Sequence, residues 1–145
     1  GWNFSGISIL ESGLPFTPTV NNAPLTFTDF NNVRADQIGD PGVADPNANL
    51  WFNPAAYTAP QGIGRNGNSR HNSLRGPRFV NFDLSLGKIF TVAEGKTLEF
   101  KWENYNAFNH VNLANPNSTV DVEGAGQITA AADMRQMQFG LHFRF

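Results

Sequence analysis

The sequence has no cysteine among its 145 residues. Disulfides, thiolate metal sites and a cysteine nucleophile are therefore excluded. Charge is also scarce. Asp, Glu, Lys and Arg make up 15% of the chain, against about 25% in ordinary soluble domains. The net charge is −2, so no basic surface invites nucleic acid and no acidic run suggests a solvating tail. No apolar run approaches the roughly 18 residues of a membrane helix. A membrane role would have to be carried by strands. The opening GWNFSGISIL lacks the basic start and the cleavage pattern of a secretory leader. Helical periodicity is scarce as well: the best candidate, ITAAADMRQM, is short and runs into an alternating tail.

What is abundant is alternation. The tail RQMQFGLHFRF puts Met137, Phe139, Leu141, Phe143 and Phe145 on one parity. Gln136, Gln138, Gly140, His142 and Arg144 take the other. In FVNFDLSLGKIFTV, the residues Val80, Phe82, Leu84, Leu86, Phe90 and Val92 share a parity, interrupted by Lys88. In TLEFKWEN, Leu98, Phe100 and Trp102 oppose Thr97, Glu99, Lys101 and Glu103. A period of two places such sets on opposite faces of a sheet. The opening WNFSGISILE is a further strand with less clean parity. The expected fold is all-β: an antiparallel meander forming a single β-rich segment over 1–145. Strands are expected near 2–11, 79–92, 97–106 and 135–145. Gly, Pro and Asn punctuate the rest, which marks long loops at 12–78 and 107–134. A short turn falls at 93–96, and GQIT near 126–129 is a candidate extra strand.

A half-buried strand of a soluble sandwich would alternate in the same way. Two features favour lipid. Asp83, Glu99, Lys101, Glu103 and Arg144 all lie opposite the apolar parity, and aromatics crowd the apolar parity toward the strand ends, as in barrel girdles. Loop lengths agree: barrels have short turns on one side and long loops on the other. If the 93–96 turn is periplasmic, both long loops fall outside.

Residues that could carry chemistry have simpler explanations. His71, His110 and His142 lack ligand-like spacing. DPNANL, from Asp45, alternates oxygens as calcium loops do, but it lacks their glycine and their distal glutamate; side-chain-to-backbone turns explain it better. Asp83, Glu99 and Glu103 could share a face as paired carboxylates, but no nucleophile or oxyanion donor set accompanies them. GIGRNGN follows no strand and opens no helix, unlike a phosphate loop. Arg65, Arg70, Arg75 and Arg78 have no interleaved aromatics for nucleic-acid stacking; loop solubility, or pairing with loop carboxylates such as Asp36 and Asp40, is the expectation. Asn3 and Asn117 open glycosylation-type triplets, and Asn117, in a loop, is the better acceptor. No metal, cofactor or catalytic residue is expected, and the chain is not expected to be an enzyme.

The final strand resembles the assembly signal of bacterial outer-membrane barrels, with Gly140, the hydrophobic Phe143 and the terminal aromatic Phe145 at the matching positions. Phe139 departs from it, standing where that signal has a polar residue. Across the whole chain, ESGLPFTPTV, RADQIGDPG, WFNPAAYTAP, RHNSLRGPRFVNFDLSLGKIF and ENYNAFNHVNLANPN together resemble TonB-dependent outer-membrane receptors that carry an N-terminal carboxypeptidase-regulatory-like domain. The resemblance implies the last strands of a barrel of about 22 strands. It also implies a plug and an energy-coupling motif, neither of which is visible in this sequence, and it supplies no catalytic residues. By their parity, Val80, Phe82, Leu84, Leu86, Leu98, Phe100, Trp102, Met137, Phe139 and Leu141 are expected to face lipid or a core. The expected location is the bacterial outer membrane. Four or five strands do not close a barrel, for which about eight are needed. The expected partners are therefore the remaining strands of a parent barrel or copies of the chain itself, together with outer-membrane lipid. The energy-coupling protein would be reached only through parts absent from this sequence. The alternative is a subunit of an extracellular fibre, in which each copy lends a strand to the next.

Overall fold

A computed structural model describes residues 1–21, 33–62 and 64–145. The strands are β1 (Trp2–Glu11), β2 (Pro15–Phe16), β3 (Thr19–Val20), β4 (Val33–Arg34), β5 (Asp36–Gln37), β6 (Tyr57–Thr58), β7 (Leu74–Arg75), β8 (Phe79–Ala93), β9 (Lys96–Tyr105) and β10 (Gln136–Arg144). All the pairings between these strands are antiparallel. Among the described residues the one helical element is a 3-10 turn, Pro54–Ala56. The fold is all-β and the sheet does not close into a barrel. The chain divides into two compact units, each treated by itself below.

The first unit holds residues 1–11, 79–112 and 132–145. Its core element is a four-stranded sheet in the order β1-β8-β9-β10. β-Branched and aromatic residues recur along the long strands, as a pleated surface favours. The β8–β9 turn carries Gly95 at φ 74°, a left-handed conformation that glycine adopts without steric cost. Next to it the register shifts between Thr91 and Ala93, which sets Val92 aside as the extra residue of a bulge. The end of the sheet opposite this turn carries the pairs Glu11↔Phe79 and Gln136↔Tyr105. Both long connections leave from that end.

The second unit holds residues 12–78 and 113–131. It is built from two-residue pairings, β2–β7, β3–β4 and β5–β6, around a small core of Phe16, Val20, Val33, Ala35, Phe52, Ala56 and Tyr57. Phe52 lies at the centre of an aromatic chain, 5.6 Å from the Phe16 ring and 6.1 Å, edge-on, from Tyr57. Asn53 caps the 3-10 turn, its side chain accepting from the Ala55 amide. Gly13 is required by close approach: a Cβ there would sit 1.7 Å from the Gly76 carbonyl oxygen.

Two local expectations are corrected. GQIT forms no strand; Ile128 instead donates its amide to the Ala48 carbonyl and buries its side chain. ITAAADMRQM is not helical; it runs as irregular chain into β10. Residues 22–32 of the expected 12–78 loop, and Ile63 of GIGRNGN, lie outside the described residues.

Candidate functional site

The four-strand register places side chains on two chemically distinct faces. Leu86 pairs with Phe4 and Trp102, and Trp102 pairs with Phe139. Phe100 pairs with Leu141, and Leu98 with Phe90 and Phe143. Trp2, Phe4 and Leu10 therefore share a face with Val80, Phe82, Leu84 and Leu86. Leu98, Phe100, Trp102, Met137, Phe139, Leu141 and Phe143 extend that face across the sheet. Two of its aromatic contacts run between strands: the Trp102 and Phe139 rings stack at 6.4 Å, and Phe100 lies 6.3 Å from Phe139. Large side chains on it are open, with Leu141 72%, Phe139 69% and Phe4 68% exposed. A contiguous apolar patch of this extent marks a surface that something apolar covers.

The reverse face is polar. It carries Asn3, Ser5, Asn81, Asp83, Ser85, Glu99, Lys101, Glu103, Gln138, His142 and Arg144. The charges are paired locally. Lys101 and Glu103 form an ion pair of 2.6 Å, Gln138 donates to Glu103, and Arg144 lies 3.5 Å from Glu99. The candidate carboxylates therefore share a face, but each is engaged by its own polar partner. Asp83 accepts from the Asn106 amide and the Asn81 side chain, both at 2.9 Å. Apolar exceptions on this face include Ile7, Ile9 and Ile89.

A buried polar clamp lies where β9 ends, and sequence reasoning missed it. Asn106, at φ 49°, donates its side-chain amide to the His110 and Asp133 carbonyls and accepts from the His110 amide. Asn112 accepts from the Val80 amide and donates to the Val80 carbonyl, both at 2.8 Å. Its side chain thus stands in for a neighbouring strand. The His110 ring sits 3.1 Å from the Asn112 oxygen. The signal available in the sequence was the density of asparagine just after a strand, in NYNAFNHVN. Beside the clamp is an open recess of about 420 Å³ that includes Asp83, Asn106, Asn112 and Asp133.

The remaining expected residues fall in separate places. Gly140 faces Lys101 on the polar side, while Phe143 is on the apolar side. Phe145 lies past β10, its ring 6.0 Å from that of Phe143. In the second unit, Asn117 is exposed and its side chain accepts from the Thr119 amide at 3.1 Å. Asn47 forms a local turn, donating to the Asp45 carbonyl and accepting from the Asn49 amide. Arg65 pairs with Asp36, whose carboxylate also accepts from the Asn68 amide. Arg34 and Arg75 donate to the Ser69 and Gly13 carbonyls. Among the described residues, no group of His, Asp and Glu converges as a metal site.

In the sheet, β1 and β10 each keep one edge without a strand partner among the described residues. A sheet that is apolar along most of one face, charged on the other and open at both edges belongs to the class of transmembrane barrel walls. The chain matches the family model for an outer membrane beta barrel domain over residues 1–138, and it belongs to that family. It is a barrel protein of the outer membrane. The match stops short of Gly140, Phe143 and Phe145. No curated protein and no solved structure matches the chain.

Proposed function

We propose that this chain forms the last strands of a TonB-dependent receptor barrel and takes part in uptake of a ligand by the parent protein. Its physical work is to wall off lipid with one face, line a lumen with the other and carry long loops outside. The observation that carries the reading is the single apolar face maintained across four registered strands. Receptor identity rests on the sequence resemblance. The partners are the other strands of the parent, outer-membrane lipid and, through parts absent from this sequence, the energy-coupling protein. No catalytic step and no nucleic-acid partner is assigned.

Two experiments test it. Leu141→Arg should be destabilising, by an amount that grows with depth toward the roughly 2–4 kcal/mol of a midplane arginine, while Gln138→Arg on the reverse face should be much milder. Equal damage from both, read as the yield of inserted protein, would indicate a closed soluble core. Crosslinking of the parent protein to the energy-coupling protein in cells tests the receptor assignment. An adduct is expected, and its absence points to a passive or structural barrel.

The outer edges of β1 and β10, without a strand partner among the described residues, favour a second reading, a fibre subunit that lends strands to its copies. Electron microscopy of detergent-free material separates the two: ordered filaments support the fibre, and their absence removes it.

A further inference from the structure

Apart from Lys96 at the hairpin turn, Lys88 is the one charged residue on the apolar face of the described sheet. It pairs across the register with Trp2 on one side and Phe100 on the other. Its ammonium lies 4.4 Å from the Trp2 ring centroid and 4.9 Å from that of Phe90. No carboxylate among the described residues forms an ion pair with it. Aromatic faces attract the cation electrostatically. They do not supply the oxygen acceptors that an ammonium with three N–H donors takes up in a charge-assisted hydrogen bond.

The position along β8 says where such an acceptor would come from. Above Lys88 the apolar row climbs through Leu86, Leu84 and Phe82 to Val80. Eight residues at about 3.3 Å span roughly 26 Å of strand. At a tilt of about 40° that is on the order of 20 Å of bilayer, against an apolar band about 25 Å tall. Lys88 then falls at the margin of the band, on the side of the short Gly95 turn. A lysine on the lipid face is costly at the midplane and nearly free at the interface. Its aliphatic stem can lie along hydrocarbon while the ammonium reaches the headgroups. Trp2, 63% exposed, and Phe90, 43% exposed, occupy the same margin, where aromatic rings prefer to lie.

We propose that Lys88, framed by Trp2 and Phe90, binds the phosphate of a phospholipid headgroup in the periplasmic leaflet. The proposal rests on the barrel reading. It adds a lipid site to the wall and fixes the depth at which the wall sits.

The test uses the parent protein inserted in phosphatidylcholine vesicles containing trace spin-labelled phosphatidylglycerol or phosphatidylcholine. The fraction of each labelled lipid immobilised at the protein is read by electron spin resonance. Wild type should favour phosphatidylglycerol at this site by about fivefold, the worth of one basic residue at a membrane surface. Molar salt should weaken that preference. Lys88→Met should lose the contribution and Lys88→Arg should keep it. An undiminished preference in an inserted Lys88→Met protein would overturn the headgroup site while leaving the barrel intact. If Lys88→Met does not insert, Lys88→Arg decides, and a preference that is absent or indifferent to salt overturns the proposal. Wild type that does not insert in these vesicles overturns the barrel reading and this site with it.

Discussion

At the scale of single residues, the side chains that hold the sheet's loop end are amides rather than hydrophobes. Asn112 supplies both a donor and an acceptor to Val80, where the backbone would otherwise need a paired strand. Leaving a buried donor or acceptor unpaired costs about 1–3 kcal/mol. Asn112→Leu should therefore lower stability by at least that much, and Asn112→Asp, which sets a buried carboxylate oxygen against the Val80 carbonyl, by at least as much. Thermal unfolding of the inserted protein checks the order. In the second unit, burial pushes the Tyr57 phenol above its ordinary value of 10.0, partly offset by a contact with Ser73. A raised phenol pKa means that folding favours the neutral form. Its contribution is intact below about pH 10 and is lost as pH rises through the folded-state value. The unit should weaken in alkali, and Tyr57→Phe should flatten that dependence, as followed by tryptophan fluorescence across pH 9–12. Neither feature was legible in the sequence. An asparagine in a loop defaults to a local turn, as Asn47 in fact makes, and nothing local distinguishes Asn112, whose partner lies 32 residues away. Charge suggests pairing of the loop arginine cluster with Asp36 or Asp40, but not which arginine: Arg65 pairs with Asp36, Arg75 donates to the Gly13 carbonyl, and Asp40 accepts from the Gly42 amide.

At the scale of elements, strand parity was the legible signal, because burial on one side of a sheet imposes a strict period of two. The parity expected for the segments at 79–92, 97–106 and 135–145 is the parity seen across β8, β9 and β10. β1 was harder to read, since Gly6 and Ser8 stand on its apolar face while Ile7 and Ile9 stand on the other. Val92, counted with the apolar row, is displaced by the bulge, which alternation alone does not reveal. The small pairings of the second unit were invisible for another reason. Phe16 meets Leu74 through two-residue strands, too short to carry any periodicity. GQIT has β-forming residues, but its backbone bonds go elsewhere. The hairpin turn offers a direct check. Gly95 sits at φ 74°, and a Cβ added there would meet only open space, so a substitution suffers from conformation and not from contact. Gly95→Val should cost roughly 1–2 kcal/mol or more. Gly95→Asn should cost less, since Asn tolerates the left-handed region. Comparing the two by denaturant midpoint separates backbone strain from crowding.

At the scale of the whole molecule, the open edges govern what the chain can do. Each unpaired backbone group costs several kcal/mol in lipid, so four strands cannot span a bilayer alone. In the proposed function, strands of the parent protein or other copies complete the wall. Membership in the outer membrane beta barrel family says which kind of wall it is, and the resemblance to TonB-dependent receptors says which kind of transport is proposed. The absence of cysteine from this chain also makes it convenient to label. Single cysteines can be placed at each position from 136 to 144 of the inserted parent protein and given a nitroxide. Collision with lipid-soluble oxygen then reports which side chains face hydrocarbon. Strong collision at Met137, Phe139, Leu141 and Phe143, with weak collision at Gln136, Gln138, Gly140, His142 and Arg144, is the expected result. A flat profile, or one with the two sets exchanged, would contradict the assignment of the apolar face to lipid.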